Sequence, residues 1–200
     1  MPSSDADLEW LGDLRCWRHR VSGRLLVSVT QCIGDAGLKD STPPAPDNPY
    51  IKRGSDVHEA IEAILKGEEP VLDDVSAPYI ECFARFLEEV SLEPIEVEKK
   101  RWDLALGLVG KPDIFAVFQG TRTIIDVKTG QKASWHPYQT AGYSILCAQE
   151  GGCPGRRALY LTPKRKTKPY DLEPHEDPND VSVFLAALTV SHAQREKGRR

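Results

Sequence analysis

Between Gly110 and Tyr143 the apolar positions run together in two short blocks and then spread out to helical spacing. The blocks, Ile114 to Phe118 and Thr123 to Val127, are rich in β-branched and aromatic residues and predict two strands. Gln119-Gly120 between them suits a tight turn, which makes a hairpin. A polar loop, Thr129 to Trp135, follows, with His136 assigned to it. Then comes a helix with Pro137 in its first turn and Gln139, Tyr143 and Leu146 on one face.

Upstream, Arg15 to Arg20 and Arg24 to Val29 predict a hairpin around Val21-Ser22-Gly23, and Thr30 can cap a short helix from Gln31 to Ala36. Prolines 43, 44, 46 and 49 make Asp40 to Tyr50 a loop. Ser55 is the expected cap of the next helix, Gly67 its stop, and Val57, Ile61, Ile64 and Leu65 its buried stripe. Pro78 to Val90 predicts a second helix with Ile80, Phe83, Phe86 and Leu87 inward. Ile95 to Leu106 alternates as the first strand of the main sheet. Arg156 to Thr162 with Lys168 to Leu172 predicts a terminal hairpin. A last helix starts near Asp180, with Val181, Phe184, Leu185 and Leu188 inward. Neither an internal repeat nor a second domain is evident.

The candidate chemistry lies on the central hairpin. With a two-residue loop, Phe118 faces Thr121 and Asp113 falls opposite Asp126, their β-carbons about 5 Å apart, where unpaired carboxylates repel. A three-residue loop sets the two diagonal instead. Lys128 shares a face with Asp126 by strand alternation. Two carboxylates and an ammonium converging in this way suit a divalent cation of the Mg²⁺ or Mn²⁺ kind with a basic group beside it. The competing account is that both aspartates end strands and Lys128 is solvated. Apolar Ile124, Ile125 and Val127 favour the site, because they imply a strand covered on both faces, where a charge is costly unless paired or bound to metal.

Pro112-Asp113 followed by Asp126-Val127-Lys128 resembles the signature of the PD-(D/E)XK nucleases. Gln139 and Tyr143 resemble the Gln-x-x-x-Tyr motif of the RecB-like and lambda-exonuclease-like branches, and Gly54 to Glu62 resembles their Gly-x-x-x-His helix. The stretch SVTQCIGDAGL is similar to the N-terminal segment of phage-type members. The resemblance implies an α/β (α+β) restriction-endonuclease-like core, a mixed central β-sheet flanked by helices. That core is expected as one domain over residues 1–200, with 1–50 as an N-terminal hairpin and loop extension. It further implies Asp113, Asp126 and Lys128 as catalytic residues, and a metal held by Asp113, Asp126, the carbonyl of Val127 and His58. Gln139 and Tyr143 would orient the DNA backbone or the lysine. Glu62 and Glu98 are supporting candidates. Glu93 and Glu96 compete with Glu98 for its part, and a salt bridge to Lys99, Lys100 or Arg101 is the simpler account of any of them.

The five cysteines, Cys16, Cys32, Cys82, Cys147 and Cys153, are odd in number and scattered, which suits buried thiols better than a disulfide framework or a zinc site. Their spacing does not match the iron-sulfur ligands of some relatives, so no cluster is expected. A formal net charge of −4 argues against coating of nucleic acid by bulk attraction. Local charge differs: Arg156, Arg157, Lys164, Arg165, Lys166 and Lys168 fall in a stretch without acids and are candidate DNA phosphate contacts, or else a solvated face. No apolar run approaches a membrane span, and the N-terminus reads as that of a cytoplasmic protein.

The expectation is a Mg²⁺-dependent DNase, with Mn²⁺ as substitute; the family resemblance implies products carrying a 5′-phosphate and a 3′-hydroxyl. An exonuclease of phage replication, recombination or repair fits better than a restriction enzyme, since no segment reads as a major-groove reader; DNA is the expected partner, and a recombinase or helicase is a candidate one that the sequence does not decide. The competing functions are a silent DNA-binding or assembly subunit, a structure-specific endonuclease, and a hydrolase of RNA or damaged nucleotides.

Overall fold

The computed structural model describes residues 5–39, 48–148, 151–152, 154–165 and 167–197. In chain order the elements are β1 (Leu8–Leu11), β2 (Cys16–His19), β3 (Leu25–Ser28), α1 (Val29–Asp35), α2 (Pro49–Lys66), α3 (Ala77–Glu89), β4 (Leu92–Val97), β5 (Arg101–Asp103), β6 (Leu108–Gly110), β7 (Ile114–Phe118), β8 (Thr121–Lys128), α4 (His136–Cys147), β9 (Gly155–Leu161), β10 (Tyr170–Pro174) and α5 (Asn179–Lys197).

A mixed sheet of order β10-β9-β8-β7-β4 carries the central hairpin; β8 and β9 run parallel and the other neighbours antiparallel. The hairpin has the two-residue loop. Phe118 pairs with Thr121 and Ile114 with Ile125, while Gln119 and Gly120 both take positive φ (49° and 78°), as the primed turn that matches strand twist requires. Alternation then sorts the side chains. Ile114, Ala116, Phe118, Ile125 and Val127 pack against Val57, Ile61, Ile80, Phe83 and Phe86 of α2 and α3. Phe115 and Ile124 face the other way, onto Ala141, Tyr143 and Leu146 of α4 and Phe184 of α5. Each fully buried large side chain contributes about 1.5–3 kcal/mol of transfer free energy, so both faces of the sheet are anchored. Asp126 and Lys128, in phase with Ile124, belong to the α4 face.

Several boundaries differ from the sequence expectations. The expected single strand from Ile95 to Leu106 is two, in different sheets: β4 edges the central sheet, whereas β5 joins a second sheet of order β1-β2-β3-β6-β5. The N-terminal hairpin is therefore part of a five-stranded sheet that also takes residues from the middle of the chain. Ser28, not Thr30, caps α1, its hydroxyl accepting the Gln31 N–H. Asn48, not Ser55, caps α2, whose first residue is Pro49, a position where a missing N–H loses nothing. The proline-rich loop otherwise lies outside the described residues. Gly67 ends α2 in the left-handed conformation, as expected. Leu185 is 39% exposed, because Val181, Phe184 and Leu188 define the buried face of α5 and Leu185 sits on its shoulder. Cys16, Cys32, Cys82 and Cys147 are buried and form no disulfide among the described residues; Cys153 lies outside them. Among the described residues no helix is long and apolar enough to cross a membrane.

Candidate active site

Asp113 stands just ahead of β7, one residue beyond the paired register, and its Oδ2 accepts the Val127 N–H of the neighbouring strand at 2.6 Å. Its own carbonyl accepts the Glu98 N–H at 2.9 Å. Glu98 lies in the break between β4 and β5 with φ +50°, a left-handed conformation that costs a non-glycine residue about 1–2 kcal/mol. That kink interrupts the expected long strand and turns the Glu98 carboxylate inward. There Oε1 meets His58 Nδ1 at 3.0 Å and Oε2 meets Lys111 Nζ at 2.5 Å. Asp113 Oδ1 lies 3.4 Å from the same His58 nitrogen. His58 comes from the flank of α2, the helix that Arg53 ties to the loop after β8 through the carbonyl of Thr129.

Asp126 is buried, with Oδ2 2.5 Å from the Lys128 ammonium as an ion pair and neither carboxylate oxygen in a well-aligned hydrogen bond among the described residues. Lys128 Nζ also donates to Gln139 Oε1 at 2.8 Å, and Gln139 Nε2 donates to the Tyr143 hydroxyl at 3.0 Å. The four-residue spacing on α4 makes that relay possible. Close packing sets α4 against its neighbours: a β-carbon on Gly142 would lie 2.7 Å from Phe184 and 2.8 Å from Val29.

The electrostatics follow from crowding acids that are largely buried. Asp113 raises the His58 pKa to about 11, against the opposing effect of burial and with help from hydrogen bonds to Asp113 and Glu98. Burial would push Asp113 up, but the His58 imidazolium, Lys128 and the Val127 N–H hold it below the usual carboxylate range. Asp126 moves the other way: burial and the Asp113 charge raise it more than Lys128 lowers it. Burial also keeps the Tyr143 phenol protonated well past its ordinary value.

His58, Glu98 and Asp113 each offer a ligand atom, all within 4.8 Å of one another, and they line a cavity of about 550 Å³ with Glu62, Lys111 and Tyr143. The imidazole nitrogen of His58 and the carboxylate oxygens of Glu98 and Asp113 make a donor set that fits a hard divalent cation; Asp126 stands outside that group and does not line the cavity.

The structure thus joins His58 and Asp113 in one cluster, with the Val127 N–H on Asp113, and sets Asp126, Lys128, Gln139 and Tyr143 in a contiguous chain of polar contacts. Of the three competing acids, Glu98 is the one at the cluster. Glu96 pairs with Lys99 and Arg101, and Glu93 is exposed. Glu62 lines the cavity but is paired with Lys66 at 2.6 Å. Lys111 was overlooked in the sequence, although its place two residues before Asp113 was the available signal.

His136 is not in the loop. It opens α4, buried, with Nδ1 2.8 Å from the Tyr160 hydroxyl. Arg156 also departs from expectation. Alternation on β9 turns it inward, where it pairs with Asp180 at 3.0 Å and donates to the carbonyls of Pro137 and Asp177, so it is not a surface cation. Arg157 stacks on Phe118 at 5.0 Å, three residues along β9 from the level of Lys128. Lys164, Arg165 and Lys168 are exposed on the connection after β9; Lys166 lies outside the described residues.

The family description "PD-(D/E)XK nuclease superfamily" matches residues 71–197, a span that holds every residue of this cluster except His58. The chain belongs to that superfamily, whose members are nucleases that use divalent metals, and its two mixed sheets with flanking helices are the restriction-endonuclease-like architecture. Among solved structures, an alkaline exonuclease (LHK-Exo) from Laribacter hongkongensis is 16% identical, with 87% of this chain and 94% of that chain covered at a TM-score of 0.38. The protein SSO0001 is 14% identical, with 82% and 84% covered at a TM-score of 0.36. No curated protein sequence matches the chain.

Proposed function

We propose that the protein is a Mg²⁺-dependent deoxyribonuclease, an exonuclease of phage replication, recombination or repair, in which Mn²⁺ substitutes for Mg²⁺. The observation that carries this reading is the cluster of His58, Glu98 and Asp113, whose ligand atoms lie within 4.8 Å of one another, together with the buried Asp126 carboxylate 2.5 Å from the Lys128 ammonium. The exonuclease class is supported by the likeness of Gly54 to His58 and Gln139 to Tyr143 to motifs of the RecB-like and lambda-exonuclease-like branches.

In the proposed site His58, Glu98 and Asp113 would hold the cation, with Asp126 and the Val127 carbonyl as the further ligands the motif implies. When bound, it supplies Lewis acidity, withdrawing charge from the phosphoryl oxygens and lowering the pKa of water. The chain's own groups do the rest. A water oxygen attacks phosphorus and the bond to the 3′-oxygen breaks; of the water's two protons one ends on that leaving oxygen and the other on the new phosphate or in solvent, giving a 5′-phosphate and a 3′-hydroxyl. Lys128 Nζ orients the attacking water or stabilises the charge gathering on the phosphoryl oxygens, and Gln139 fixes the ammonium for either task. Tyr143 holds Gln139 in turn.

The test is incubation of the protein with end-labelled linear, nicked and covalently closed DNA in Mg²⁺, Mn²⁺ or EDTA, alongside Lys128→Met. Metal-dependent loss of linear DNA alone, abolished in the variant, is the expected result. Cutting of closed circles would make it an endonuclease, and binding without cleavage in either metal would overturn the enzymatic reading.

A further inference from the structure

Lys39 and Lys128 converge on one indole. Lys39 Nζ sits 4.3 Å from the ring centroid of Trp135, and Lys128 Nζ 5.5 Å from the same centroid. The two ammonium groups are thus within about 10 Å of each other, no farther than the screening length in 0.1 M salt. Lys128 is balanced by Asp126 at 2.5 Å. Lys39, four residues beyond the end of α1, has no carboxylate partner among the described residues. An aromatic face holds an ammonium without neutralising it. Half-buried as it is, Lys39 is made less basic, first by burial and then by the charge of Lys128. Among the described residues this edge of the site therefore carries one positive charge more than their carboxylates balance, on a side chain whose position the indole fixes. An anion brought to Lys128 by the reaction would relieve that excess.

We propose that Lys39, held on Trp135, binds a backbone phosphate of the DNA strand adjoining the one at Lys128. This rests on the nuclease reading and adds to it a positioning residue outside the signature motifs. Lys39 supplies charge, not chemistry, so it should govern affinity and its salt dependence and leave turnover nearly alone.

The test is equilibrium binding of fluorescent DNA in EDTA, where no cleavage occurs, over a range of salt, for the wild type, Lys39→Met and Lys39→Arg, with melting curves for each. Met is expected to weaken binding about 5- to 10-fold at low salt and to reduce the slope of log Kd against log salt by about one. Arg should restore both, and steady-state cleavage by the Met variant should show a raised KM with kcat within about twofold. Unchanged affinity and slope in the Met variant, with a wild type that binds and cuts, would overturn the proposal, as would equal loss in both variants accompanied by lower melting temperatures. A wild type that binds no DNA at all would instead overturn the nuclease reading.

Discussion

Lys128 donates to Gln139 at 2.8 Å while lying 2.5 Å from Asp126, so its ammonium is fixed from two elements at once, strand β8 and helix α4. If that double hold positions the lysine for chemistry, losing Gln139 should lower the single-turnover cleavage rate about 10- to 100-fold with little change in DNA affinity. Losing the ammonium itself, in Lys128→Met, should lower it about 10³-fold. Gln139→Ala with an unaltered rate would show that the relay to Tyr143 serves packing alone.

Asp126→Asn should separate stability from activity. Burial and the Asp113 charge disfavour the Asp126 carboxylate more than Lys128 favours it, so the neutral amide relieves strain. In EDTA the variant is expected to melt about 3–6 °C higher, the shift that one or two kcal/mol gives a chain of this size, while cleavage is lost. A lower melting temperature would mean that the Lys128 pair outweighs the desolvation of the acid.

Acid should destabilise the protein through its buried histidines. Burial, then the charges of Lys128, His175 and Lys39, hold His136 down to about 3, and burial lowers His175 as well. The unfolded chain takes up these protons near the ordinary value of about 6.5. The stabilisation is therefore complete above pH 6.5 and fades as the pH falls from there toward 3. Denaturant unfolding at pH 7 and pH 5 should show the loss, and His136→Gln should flatten the slope by about one proton.

Two backbone positions give packing tests of opposite sign. Gln119 occupies a left-handed turn position that asparagine tolerates better, so Gln119→Asn should raise stability by a few tenths of a kcal/mol or more. Gly142→Ala would press a methyl into Phe184 and Val29 and is expected to cost about 1–3 kcal/mol. Thermal melts read both.

What the sequence disclosed follows the range of the forces involved. The hairpin register was legible because a two-residue turn and strict alternation fix Asp113, Asp126 and Lys128 locally. Gln139 and Tyr143 were legible because helical spacing alone sets them on one face. Glu98 remained one of three acids, since its selection depends on a left-handed kink that no propensity signals in a glutamate. Arg156 looked like a surface cation because its partner Asp180 lies 24 residues on and is brought in only by tertiary packing. The sharing of Trp135 by Lys39 and Lys128 joins segments almost 90 residues apart and left no local mark.

The central claim is that these side chains form one divalent-cation site. The direct measurement is Mn²⁺ binding followed by electron paramagnetic resonance of the free ion, for the wild type and for Asp113→Ala, Asp126→Ala and the exposed control Glu93→Ala. The account predicts saturable binding in the wild type and in Glu93→Ala, weakened at least tenfold in the two aspartate variants. Equal binding in all four, or none in the wild type, would contradict it.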